Sequence, residues 1–252
     1  MNSKPSKRVA IVTGGSRDIG RAIAEKMAAE GVRVVINFHG SAERAKETLN
    51  GIQAVGGEAT IVKGDMTSYQ DVQTLVSTAC ETYGDEIHYL INVVGGLVSR
   101  RTLLEMSEGF FEEVMKLNMT STFLVTRAVV PHMPSGSAVV NFASQAGRDG
   151  GGPGAAAYAA SKGAVMAFTR SMAKELGPQG IRVNALCPGM IDTTFHDTFT
   201  RNEVRKNVAA ATPLRREGDV SDIAEATWFL ASQSSEFITG ACVDINGGMY
   251  FS

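Results

Sequence analysis

The sequence has no run of basic residues, no Cys-x-x-Cys pair, no clustered histidines and no apolar stretch long enough to cross a bilayer. Each absence removes a class of function. A formal charge of -2 without a lysine or arginine run, and without aromatic residues interleaved among basic ones, argues against nucleic-acid binding. The three cysteines, Cys80, Cys187 and Cys242, lie far apart in apolar surroundings, as reduced core thiols do, and supply no disulfide framework. The four histidines lack metal-ligand spacing, so no metal is expected. The opening MNSKPSKR is polar, with no apolar segment behind it, which gives a cytoplasmic, membrane-free expectation with residues 1–7 as a flexible tail. Internal repeats, low-complexity segments and linkers are also missing. With 252 residues, 44% of them apolar, the chain can bury a full core, and residues 1–252 are expected to form one domain.

What is present is an alternation. Apolar runs at 8–13, 32–37, 58–65, 87–92, 137–142, 181–186 and 241–246 are separated by segments with helical periodicity, among them a helix ending near Glu30 and others near 41–55 and 68–83. Runs of continuous Val and Ile suit strands covered on both faces. The expected fold is α/β: a single Rossmann-type, doubly wound parallel sheet with helices on both faces.

Between the first run and the first helix stands Thr13-Gly14-Gly15-Ser16-Arg17-Asp18-Ile19-Gly20. A glycine turn that follows a strand and opens a helix exposes backbone N–H groups to a dinucleotide pyrophosphate, which places Gly14, Ser16, Arg17, Ile19 and Gly20 in a cofactor site. Asp18 puts a carboxylate where a glycine is expected. Two geometries accommodate it: a cap accepting from the N–H of Gly20 or Arg21, or a carboxylate facing the phosphates and repelling them. The cap, with Arg17 near the phosphates, is the favoured expectation. At the end of the second run, Ile36-Asn37-Phe38-His39-Gly40-Ser41 contains no carboxylate to read a ribose 2'-hydroxyl. Arg17, Asn37 and Ser41 could instead donate to a 2'-phosphate, so NADP(H) is preferred, with NAD(H) possible.

Further on, GGPGAAAYAASKGAVMAFTRSMAKEL (151–176) places Tyr158 and Lys162 four apart on one helix face. An ammonium beside a phenol favours the phenolate and suits acid/base work near neutrality. Together with Asn92, Gly95, Asn118, Ser144, Pro188 and Gly189, these residues resemble the short-chain dehydrogenase/reductase family, and within it the 3-oxoacyl-carrier-protein reductase type, over essentially the whole chain. The resemblance implies that Tyr158 donates a proton to a substrate carbonyl and that Ser144 holds the carbonyl oxygen. Lys162 would bind the nicotinamide ribose and lower the Tyr158 pKa, and Asn118 would hold a water that passes protons to Lys162. Asp65 would bond the adenine amine with Met66 beside the ring, and Ile191 and Thr193 would fix the carboxamide. It also implies a homotetramer built through the 155–176 helix and the last strand.

Several positions depart from the family pattern. Asp18 replaces a glycine. The usual Asn-Asn-Ala-Gly is Asn92-Val93-Val94-Gly95, which alters the expected floor under the nicotinamide ribose. The spacing from Ser144 to Tyr158 is one residue longer than usual, in a glycine-rich loop expected to bulge the rim. The stretch VVPHMPSGSAVV before the fifth run has no lysine or arginine to dock an acidic carrier. A small free carbonyl compound is therefore the expected substrate, such as a keto-uronate or another sugar-derived keto-acid, paired by Arg148 or else by Arg100 or Arg101. The alternatives are a 3-oxoacyl-carrier-protein reductase and a non-catalytic nucleotide sensor.

Overall fold

The computed structural model describes residues 7–252; of the expected N-terminal tail, residues 1–6 lie outside the described residues, while Lys7 pairs with Glu58 at 2.7 Å. The apolar runs become seven strands: β1 (Val9–Thr13), β2 (Arg33–Phe38), β3 (Ala59–Lys63), β4 (Tyr89–Asn92), β5 (Ala138–Phe142), β6 (Arg182–Pro188) and β7 (Cys242–Ile245). All pair in parallel in the order β3-β2-β1-β4-β5-β6-β7. Strand order reverses between β1 and β4. Such a reversal opens a crevice at the carboxyl ends of the strands.

Alternation along each strand divides the core. Ala10, Val12, Val34, Ile36, Ile91 and Val140 face one side, where they meet Ile23 and Met27 of α1 (Asp18–Ala29), Ile52 of α2 (Ala42–Ala54) and later chain. Ile11, Val35, Leu90, Val139 and Val183 face the other, against Val72 and Leu75 of α3 (Tyr69–Tyr83). Both faces are thus covered, which is why the strands read as continuous apolar runs.

Between α4 (Glu108–Met115) and α5 (Ser121–Val129), residues Lys116–Thr120 form a π-helical turn. A short α6 (Ala146–Asp149) follows β5, then a glycine rim, then α7 (Ala156–Leu176). After β6 come two helices, α8 (Thr194–Phe199) and α9 (Asn202–Ala211), before α10 (Val220–Ala231). Among the described residues, no helix is long and apolar enough to cross a membrane.

Candidate active site

The crevice holds a cleft of about 480 Å³ that runs from the β1 turn, past the end of β4, to Ser144, Tyr158 and Lys162. Its phosphate end is shaped by missing side chains. Gly14 sits at φ +64°, and a Cβ on Gly20 would fall 2.2 Å from the Gly14 carbonyl oxygen, so the turn closes only with glycine there. The first N–H groups of α1 have no partner within their own helix and are the natural seat for a pyrophosphate. Ser16, Arg17 and Ile19 line this end with the glycines. Bare backbone and free donors fit a dinucleotide.

Asn37 is not available to a 2'-phosphate. It is 1% exposed, its Oδ1 accepts from Gly14 N at 3.2 Å, and its Nδ2 donates to Gly64 O at 3.0 Å. A buried amide spends its donors on the backbone, and here it fastens the turn from below. The cleft wall in that region is Phe38, His39 and Gly40. Ser41 is exposed and caps α2, accepting from Arg44 N at 3.2 Å.

Asp18 does not cap its own helix, and it lines the cleft. Its backbone lies at φ +46°, in the left-handed region that a glycine would enter freely. Its carboxylate accepts from Thr194, at 2.6 Å from Oγ1 and 3.3 Å from the backbone N. It therefore caps α8, a helix 176 positions away, instead of its own. Arg17 also donates to Thr194 Oγ1 and lies 3.7 Å from Asp18 Oδ2.

Of the adenine-end residues, Asp65 accepts from Thr67 N at 2.8 Å through Oδ1 and holds Asp71 through its own N–H. Met66 is 2% exposed and packs into the second core cluster, so its side chain is not the cleft-side neighbour that the resemblance implied.

At the other end, the residues converge. Asn92 lies beneath the cleft, its amide donating to Asn141 Oδ1 at 2.9 Å and Thr126 Oγ1 at 3.1 Å. Val93 and Val94 keep the floor in place through backbone N–H bonds to Thr13 Oγ1, so the branched side chains do not disrupt it. Gly95 must be bare: a Cβ there would lie 2.5 Å from Asn118 Oδ1 and 2.9 Å from Lys162 Nζ. Asn118 sits in the π-turn, fully buried, and clamps both the N–H and the C=O of Gly96 at 2.9 Å. π-turns interrupt helices at functional sites, and this one delivers Asn118 to the cleft floor.

Lys162 is buried, and its Nζ donates to Phe142 O at 2.7 Å. Desolvation pulls its pKa down to about 8. Tyr158 differs from expectation. Its phenol is held above the ordinary value, because burial outweighs the opposing hydrogen bond with Ser144. Lys162 Nζ stands 5.7 Å from the Tyr158 ring centre.

Pro188, Gly189, Ile191 and Thr193 line the far wall, with Thr193 Oγ1 donating to Ile191 O at 3.1 Å. Above Tyr158 stands Phe195 of α8, ring centres 6.2 Å apart, with His196 beside it. Neither Phe195 nor His196 carried a sequence signal, because no local pattern marks a lid residue.

Arg148 does not reach the cleft. Its Nε donates to Asp244 at 2.6 Å, its Nη2 bonds the Cys242 carbonyl, and its side chain is 10% exposed, so it ties α6 to β7. Arg100 does line the cleft. The rim glycines explain its placement: Arg101 N donates to Gly154 O at 3.0 Å and Arg100 Nη1 to Pro153 O at 3.0 Å, where a Cβ on Gly154 would crowd Arg100.

Comparison with known proteins agrees with this architecture. Residues 14–250 match the family model described as enoyl-(acyl carrier protein) reductase. The chain is 34% identical over 243 residues to the 3-oxoacyl-[acyl-carrier-protein] reductase FabG of Staphylococcus aureus, covering 96% of this chain and 97% of that one. Among solved structures, a short-chain dehydrogenase/reductase from Serratia marcescens superposes with a TM-score of 0.91 at 30% identity, over 98% of this chain and 99% of that one. An NADH-dependent reductase A1-R' responsible for alginate metabolism superposes at 0.89 and 32% identity, over 98% of both chains. These relatives set aside the non-catalytic sensor. The chain belongs to the short-chain dehydrogenase/reductase family and is an NAD(P)(H)-using oxidoreductase.

Proposed function

We propose that this enzyme reduces the carbonyl of a small free keto-acid, such as a keto-uronate, with NADPH as the preferred cofactor. The observation that carries the substrate class is Arg100, held by the glycine rim in the same cleft as Ser144 and Tyr158. A guanidinium there pairs with a substrate carboxylate in the bidentate manner lysine cannot match. His196, whose pKa is lowered by burial and next by Arg205, with Arg100 as a smaller contribution, stays neutral near pH 7 and offers a polar contact without a second charge. A neighbour named for the metabolism of alginate, a polyuronate, supports the same class.

A bound nicotinamide supplies the hydride. Ser144 donates to the carbonyl oxygen as charge develops there, and Tyr158, kept protonated by its burial, gives that oxygen its proton. Asn118, from beneath the floor, and Ile191 and Thr193, in the wall, are the residues that would hold the nicotinamide end in place. The NADPH preference rests on the β2 end: His39 and Ser41 are exposed there, and no carboxylate precedes Glu43. Single-domain, cytoplasmic and homotetrameric organisation belong to the same proposal.

Reduction of a 3-oxoacyl chain on a carrier protein is the second reading, favoured by the FabG relative. Against it stands the segment 129–140, which carries no lysine or arginine for an acidic partner. Initial rates with NADPH and NADH against keto-uronates, simple aldehydes, diketones and a 3-oxoacyl thioester separate the readings. The keto-acid proposal expects turnover confined to acids, with kcat/KM lowered by about 10²-fold in Arg100→Ala. Preference for the thioester, or indifference to Arg100→Ala, overturns it.

A further inference from the structure

The geometry points to Asp18 as a positioning residue that couples cofactor binding to closure of the α8 lid. A carboxylate inside a pyrophosphate-binding turn repels the ligand unless something neutralises it, and in a partly dry cleft that repulsion is large. Here Thr194 supplies hydrogen-bond donors, its backbone N–H at 3.3 Å and its hydroxyl at 2.6 Å both directed at Asp18, and Arg17, bonded to the same hydroxyl, supplies positive charge 3.7 Å from the carboxylate.

Thr194 is the first residue of α8, and the next residue, Phe195, covers Tyr158. The hydrogen bonds from Thr194 to Asp18 are therefore present only when the lid is down. With the lid raised, the carboxylate keeps only Arg17, 3.7 Å from its Oδ2, beside the N–H groups of α1. With it lowered, the turn can accept phosphates and Phe195 closes the reacting end. Each ligand-bound state favours the other through this one contact, which is the reciprocal coupling that linkage requires. A glycine at position 18 would give the same backbone without the coupling. The proposal concerns the cofactor and the lid alone, and it stands whichever carbonyl compound is reduced.

The test uses Asp18→Gly, Thr194→Val and the double variant, with NADPH and, in parallel, NADH as probes. Dissociation constants come from fluorescence titration, lid closure from hydrogen exchange of the Phe195–Phe199 amides, and folding from the melting temperature. Thr194→Val leaves the carboxylate under-satisfied, so cofactor binding should weaken roughly tenfold. In the Asp18→Gly background the same Thr194→Val change should alter cofactor affinity less than twofold. Asp18→Gly itself should bind cofactor at least as tightly as the parent, while the cofactor no longer protects the α8 amides. Equal weakening by Thr194→Val in both backgrounds overturns the inference, as does full cofactor-induced protection of α8 in Asp18→Gly. Wild-type melting temperatures separate these outcomes from misfolding.

Discussion

At the scale of single residues, Lys162 shows that function and stability are opposed in this cleft. Its ammonium is buried with one carbonyl partner, Phe142 O, and its pKa falls to about 8. Burying a charge with so little compensation costs stability. The sign with pH follows from proton counting: between about pH 8 and the ordinary lysine value, the unfolded chain holds a proton that the folded chain has released. This group's contribution to stability therefore rises with pH across that window and is least favourable below it. Lys162→Met, which keeps length and removes charge, is predicted to raise stability at pH 7 by about 1–2 kcal/mol, a few degrees in melting temperature, and to flatten that pH slope while activity is lost. Thermal melts of both proteins from pH 7 to pH 10 check it; a lower melting temperature for the variant at pH 7 contradicts it.

At the scale of elements, the site is made where a loop and an interrupted helix press together. Gly95 and the π-turn carrying Asn118 interlock, and a methyl group at residue 95 would collide with Asn118 Oδ1 and Lys162 Nζ. Gly95→Ala is predicted to destabilise the fold by about 1–3 kcal/mol and to cut kcat by more than tenfold, read from melts and initial rates on one preparation. The strands, α1 to α3 and the Tyr158 helix were legible in the sequence because continuous Val and Ile runs and repeated apolar spacing are local signals. The rest was not local. A π-turn differs from an α-helix by one residue and leaves no mark in composition. The α8–α9 lid lacks a continuous apolar stripe and is fastened instead by Arg205, which pairs with Asp192, Asp197 and Glu217 from three separate segments. Asp18 reads as a cap for its own helix because its partner lies 176 positions on, and Arg148 reads as a substrate contact because Asp244 lies 96 positions away.

At the scale of the whole molecule, the doubly wound sheet gathers residues from the ends of β1, β4, β5 and β6 into one crevice, so that a single cleft joins the glycine turn after β1 to Ser144, Tyr158 and Lys162. Apolar groups left at the surface are the faces through which the proposed tetramer would form: Phe123 of α5 meets Phe168 of α7 edge to face while remaining exposed, and Val243 of β7 and, beyond that strand, Phe251 are exposed. Contiguous exposed apolar patches mark interfaces. Light scattering at micromolar concentration is predicted to give four times the mass of the chain, and a monomer there would refute assembly through these faces.

The central claim is that Tyr158 delivers the proton while the rest of the cleft holds the cofactor independently of it. Tyr158→Phe removes one oxygen from a buried ring and little else. The decisive measurement is made on that variant, with cofactor affinity by calorimetry and single-turnover reduction on the same sample. The account predicts a loss of about 10²–10⁴-fold in the reduction rate, with the cofactor dissociation constant changed less than threefold. Reduction within tenfold of the parent would contradict it.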